Sequence, residues 1–258
     1  MKSNLTCDFS SPVFKHLLAS YEQMIRAHES VYFDLQQIVT LSTFYYYANQ
    51  LDEALKVLDY GISIYKNEER LLLIKSKILI KQKNYIEAET LLNNLMGNEA
   101  PEVSFEKAML AAITGKKAVA ENHFDNLIKS VRNKRQTYVS VAYFYLSNHF
   151  IHEGEKWWEL AQKNPSFDYN FFYTRVVYEL VNKDYEKAFR HSISLIKKYP
   201  NALISWLLLA RSQFVMNKYD DAYRSANCAL NLHPRCHAAL KIKEESKSKL
   251  TRHDTQPS

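Results

Sequence analysis

Small side chains return along this chain at an almost fixed interval. Ala54, Ala88, Ala120, Gly154, Ala188 and Ala222 follow one another at steps of 34, 32, 34, 34 and 34 residues. Larger blocks keep the same beat: Lys183-Asp184-Tyr185-Glu186-Lys187-Ala188 returns as Asn217-Lys218-Tyr219-Asp220-Asp221-Ala222, and Pro200 returns as Pro234. A period of this length marks a chain assembled from stacked supersecondary units, none of which buries its apolar face alone. Only 4 Gly and 6 Pro serve all 258 residues. An all-β chain needs turn residues at nearly every reversal, so helices joined by short polar turns are what this composition permits.

Counting units from Leu35, Glu69, Pro101, Arg135, Tyr169 and Leu203 brings further positions into line. Position 8 reads Ser42, Ser76, Ala108, Ala142, Val176 and Ala210, and position 27 reads Gly61, Leu95, Leu127, Ala161, Leu195 and Ala229. A small residue at position 8 of a first helix lets the small residue at position 20 of the second come close, at the short end of interhelical distances. Bulky residues at positions 17 and 24 then fill the gap to the next unit. Asn84 with Glu87 reads as a capping box for one second helix, and Asp184 as the N-cap of another. Of adjacent Trp157 and Trp158, helical spacing turns one inward, and the register selects Trp158. Among Tyr45, Tyr46 and Tyr47 it selects Tyr45 for the core.

These units resemble tetratricopeptide repeats, which carry Trp, Leu, Gly, Tyr, Ala, Phe, Ala and Pro at set places in a 34-residue pattern. The last unit matches best, with Trp206, Leu209, Ala210, Tyr219, Ala222, Ala229 and Pro234 in family positions. Lys75, Lys107 and Arg175 depart from it, standing where the family has an apolar residue. HEAT-type repeats would need a period nearer forty. The resemblance implies an all-α chain, a right-handed α-solenoid of about six helix pairs spanning 35–68, 69–100, 101–134, 135–168, 169–202 and 203–236. A capping helix is expected within 12–34, where Ser11-Pro12 starts a stripe of Val13, Phe14, Leu17, Leu18, Tyr21 and Ile25. A second is expected at 237–250, carrying Ala238, Ala239, Leu240 and Ile242 on a Lys-rich helix. Residues 1–11 and 251–258 are expected to be disordered tails.

In the family the first helices line a concave groove that holds a peptide or partner helix. Carried over by position, the groove residues are Tyr46 in the first unit, Arg70 and Lys77 in the second, and Phe105 and Met109 in the third. The later units add Tyr143, then Asn170 and Tyr173, then Arg211 and Phe214. Tyr and Arg are frequent energetic anchors of interfaces. The family's carboxylate clamp is not expected, because Val39, Thr43, Ile74, Glu102 and Glu106 occupy its positions in the first three units.

Chemistry-bearing clusters are sparse. His149 and His152 fall at a turn between helices, and His233, Cys236 and His237 surround Pro234, each set lacking the ligands that complete a zinc site. With 4 Gly there is no phosphate loop and no nucleophile elbow. The chain therefore reads as a non-catalytic scaffold or adaptor for another protein, with no cofactor and no metal. The net charge of +6 rests on 34 basic against 28 acidic residues. The runs at 132–135 and 241–249 are short or interrupted, so a single-stranded nucleic acid is the secondary reading. Cys7, Cys228 and Cys236 are odd in number without close spacing. With no stretch of 18 apolar residues, a cytoplasmic protein without a membrane span is expected.

Overall fold

The computed structural model describes residues 9–27, 31–95, 100–163 and 168–254; the expected tail segments 1–8 and 255–258 lie outside them. Among the described residues the chain is all helical. It divides into two compact units: an N-terminal unit of Lys15–Lys134, and a C-terminal unit from Arg135 onward that also takes the described residues up to Phe14.

The N-terminal unit holds most of α1 (Pro12–Ala27), then α2 (Leu35–Tyr47), α3 (Leu51–Ile64), α4 (Glu69–Lys81), α5 (Tyr85–Asn93), α6 (Pro101–Ile113) and α7 (Lys117–Ser130). The C-terminal unit holds α8 (Lys134–Ser147), α9 (Ile151–Lys163), α10 (Tyr169–Val181), α11 (Tyr185–Lys198), α12 (Leu203–Val215), α13 (Tyr219–Leu232) and α14 (His237–Asp254). Within each unit consecutive helices pack as antiparallel pairs, as their short connecting turns require.

The recurring small residues do the work the register assigns them. Ala54, Ala88, Ala120, Ala188 and Ala222 are fully buried, as are Ser42, Ser76, Ala108, Ala142, Val176 and Ala210 at position 8. At Gly154 a methyl group would stand 2.7 Å from Leu146 Cγ, so here even alanine is too large without a shift. Position 24 is buried in every unit, from Leu58 and Leu92 through Phe124 and Trp158 to Ser192 and Ala226. Position 17 behaves differently: Ile151 is exposed and Tyr85, Tyr185 and Tyr219 are half-buried, so position 24 is the inward one, filled by a bulky side chain in the first four units and by Ser192 and Ala226 in the last two. Replacing Ala188 or Ala222 by Leu is expected to overpack a helix pair and cost about 1 to 3 kcal/mol. Urea unfolding of each variant checks this, and parental midpoints in both would refute the packing role.

Each helix pair turns on the same device. Asn49, Lys83, Gly115, His149, Lys183 and Asn217 are left-handed, with φ between 57° and 80°. In every case the next residue's N–H donates to a carbonyl five residues back, as in Asn84 N to Leu79 O at 2.9 Å and Asp184 N to Glu179 O at 2.8 Å. This is the helix-ending turn that glycine favours, yet Gly fills only one of these places. Lys183→Gly removes the strain of a side chain at φ 62°. It is expected to stabilise the C-terminal unit by up to about 1 kcal/mol, seen as a raised denaturant midpoint.

At these second helices the expected side-chain caps do not form. The N–H groups of Asn84 and Asp184 are already satisfied, and neither side chain caps its helix; Asn84 bonds the Glu87 carboxylate and Asp184 accepts from Lys187. Side-chain caps stand at first helices instead. Asp34 and Gln37 form a capping box on α2, and Asp168 accepts from Phe171 N at 2.9 Å on α10. The charged departures at position 7 fit without a shift of register: Lys75 reaches Asp59 at 2.7 Å, and Arg175 meets Glu179 at 3.4 Å.

Four further details differ from the sequence reading. On α1 it is Phe14, Tyr21 and Met24 that are buried, while Val13 is 81% exposed and Ile25 also faces solvent. On α14 the buried line is Ala239, Ile242 and Ser246, with Ala238 and Leu240 outside. That helix runs on to Asp254, so the segment 251–254 is ordered, with the Thr251 hydroxyl bonding carbonyls of the preceding turn. Phe9, placed in an expected disordered tail, is buried: its ring meets Phe14 at 4.9 Å and His233 at 4.7 Å.

Candidate partner-binding surface

In the N-terminal unit α2, α4 and α6 share one face, because their side chains meet across it. Arg70 on α4 donates to the side-chain amide oxygen of Gln36 on α2 at 3.4 Å. Lys81, one turn beyond Lys77, stands 4.0 Å from the centre of the Tyr46 ring. Lys77 Nζ lies 3.0 Å from Glu106 Oε1 on α6. Glu106 is 2% exposed, so the pair puts a carboxylate beneath the face with an ammonium over it. Burial pushes the Glu106 carboxyl above its ordinary range, opposed by Lys77. Burial, and after it the charge of Glu106, raises the Tyr46 hydroxyl as well. Phe105 leans on Phe124 of α7 at 5.8 Å, part of its helix pair more than of the surface, and Met109 is half-buried.

The C-terminal unit builds its face from tyrosines. Tyr143 on α8 meets Tyr173 on α10 edge to face at 4.8 Å, and Tyr169 lies 5.3 Å from Tyr173 on its other side. Asn170 is half-buried, Arg211 is exposed, and no hydrogen bond ties either to the tyrosines among the described residues. Phe214 turns toward Tyr219 of its own helix pair at 5.4 Å. None of the ten residues carried over from the family positions is fully buried. The structure gathers Tyr46, Arg70 and Lys77 on one face and Tyr143 with Tyr173 on another, while Phe105 and Phe214 serve mainly their own pairs.

Two residues escaped the sequence reading. Glu106 was weighed only as a misfit to the carboxylate clamp; the available signal was an acid at position 6 following a lysine at position 9 of the preceding unit. Trp157 was left outside the core, yet it is 4% exposed, with the Tyr138 ring 6.0 Å away. A second helix in a stack is covered on two sides: Trp157 turns to α8 of its own pair, and Trp158 stacks on Phe171 of α10 at 5.0 Å.

The weighed metal sets resolve into structural roles. His149 is the left-handed residue of its turn and is exposed with His152, while His233 lies buried against Phe9. Among the described residues no three His, Cys, Asp or Glu side chains come together, and no helix is long and apolar enough to cross a membrane.

No family model matches the chain, and no curated protein matches it in sequence. Solved structures do match in fold. Yeast Tom70 is 12% identical over 93% of this chain and 59% of its own, with a TM-score of 0.56. Human IFIT1, a dimer with m7Gppp-AAAA, is 16% identical over 95% of this chain and 62% of its own, with a TM-score of 0.52. A tetratricopeptide repeat protein from Parabacteroides merdae ATCC 43184 is 14% identical, over 86% and 93% of the two chains, with a TM-score of 0.46. The chain thus spans about three fifths of the first two proteins. At these identities what is shared is the fold, an array of sequential helix pairs of the tetratricopeptide kind.

Proposed function

We propose that the chain is a non-catalytic scaffold that holds a segment of another protein against the faces of its first helices, in a reducing, cytoplasmic setting. The observation that carries this reading is the pair of surfaces on which partly exposed side chains from successive units converge, aromatic and cationic in the N-terminal unit and tyrosines in the C-terminal one. Half-buried Tyr and exposed Arg provide large contact area with directional donors, the composition of interface anchors.

Single-stranded nucleic acid is the second reading, drawn from the likeness to IFIT1 with its m7Gppp-AAAA and from the basic balance of the chain. Two features count against it. Stacking on bases needs open ring faces, whereas Tyr173 sits between Tyr143 and Tyr169, and Lys81 covers Tyr46. Lys77, at the centre of the N-terminal face, is already neutralised by Glu106.

Capture from the native host and identification of the bound protein test the first reading. Tyr143→Ala and Arg211→Ala are each expected to weaken that complex by about tenfold or more. Unchanged affinity in all variants of these faces would remove the proposed surface. Titration with single-stranded RNA at low salt is expected to stay flat; tight, steeply salt-dependent binding would favour nucleic acid instead.

A further inference from the structure

Glu106 poses a problem that the fold does not solve. Its side chain is 3% exposed and Oε1 is bound by Lys77, but Oε2 is enclosed and has no hydrogen-bond partner. Buried carboxylate oxygens are almost always partnered, and leaving one bare carries a penalty that a second copy of the fold's own packing does not require. Lys77 mirrors the deficit. An ammonium has three protons to donate, and Glu106 is its one acceptor among the described residues. The Lys77 side chain is 35% exposed, so its head is reached from outside.

An open acceptor beside an open donor selects its ligand by chemistry. A cation would meet the Lys77 ammonium, with Lys81 one turn away over Tyr46. An anion would meet the Glu106 carboxylate. A primary carboxamide is neutral and carries an N–H donor and a C=O acceptor side by side, the complement of this arrangement.

We propose that Lys77 and Glu106 form a carboxamide receptor in the N-terminal unit, taking the primary amide of an Asn or Gln side chain on a partner segment, with its carbonyl on Lys77 Nζ and its syn N–H on Glu106 Oε2. The four-carbon stem of Lys77 is the movable part that uncovers Oε2 as the amide enters. Tyr46, with Lys81 4.0 Å from its ring centre, stands on the same face. The assignment rests on the docking reading above and sharpens it, since it states what the partner must present: an Asn or Gln side chain.

The test is titration of the isotope-labelled full chain with blocked tripeptides, acetyl-Ala-Gln-Ala-N-methylamide, its all-Ala form and its Glu form, followed by amide NMR. The Gln peptide is expected to shift the signals of Lys77 and Glu106 and to bind about tenfold or more tightly than the Glu peptide. Because a trans backbone amide points its C=O and N–H apart, the all-Ala peptide is expected to bind no better than the Glu form. No shift with the Gln peptide, or the all-Ala or Glu peptide binding as tightly as Gln, overturns the proposal. Glu106→Met, which replaces a buried charge by a side chain of similar volume and is expected to fold, should weaken the Gln peptide about tenfold; unchanged affinity also overturns it. If the peptides fail while capture of the native partner still depends on Tyr143 and Arg211, the carboxamide assignment falls and the docking reading stands. If the peptides bind but no face variant weakens capture, the docking reading is what falls.

Discussion

Trp158→Ala is expected to destabilise the C-terminal unit by about 3 to 5 kcal/mol, because it empties the largest fully buried side chain of the molecule. The indole is 1% exposed and lies on Phe171 at 5.0 Å and Tyr178 at 5.8 Å, so it joins one helix pair to the next as well as filling space. In a repeat array such a contact is a nearest-neighbour term, and its loss is felt first by the adjoining pairs. Hydrogen exchange should therefore show protection falling most in α8 to α11. Trp158→Phe keeps a ring against Phe171 and is expected to recover about half of the loss. Equal protection in parent and Trp158→Ala would show that the stack is not joined there.

Lys77→Met should be the second large effect, at about 3 kcal/mol near neutral pH, because it leaves the Glu106 carboxylate buried without its counter-charge. Glu106→Gln is expected to change stability by no more than about 1 kcal/mol, since its removal leaves Lys77 free to turn into water. The sign with pH follows from burial. The folded-state carboxyl is raised above its ordinary value, so its stabilising contribution is present in acid and is lost as pH rises through the raised folded value. The Lys77→Met deficit should accordingly shrink as the pH is lowered from neutral toward the ordinary carboxyl range, and Glu106→Gln should abolish that dependence. Urea midpoints measured across that range decide it; a deficit that is flat with pH would mean Glu106 is not the group responsible.

Helix pairing was legible because close packing leaves a mark on composition. Ala54, Ala120, Ala188 and their counterparts sit where two backbones approach, and only small residues fit there, so they recur visibly. The turns were less legible for the opposite reason. The left-handed place is occupied by Lys83, His149 and Lys183 as well as by Gly115, since at solvent-exposed turns the strain of a side chain is tolerated. The caps were misplaced because capping letters do not show where the side chain is already engaged, as Asn84 is with Glu87 and Asp184 with Lys187. On the candidate faces, the family positions fall on residues that are exposed or half-buried. What they did not supply was Glu106, whose role exists only through a lysine on another helix, or the turn of Phe105 and Phe214 back toward their own pairs.

The burial of Phe9 against His233 bears on any handle attached to this chain. Phe9 is tied to the loop between α13 and α14 as well as to Phe14 of α1, so a label placed at Phe9 reports on the final helices although it stands ahead of the first. Trimming the chain back to Ser11 would likewise strip the cover from His233, and the damage would register at the carboxyl-terminal repeat.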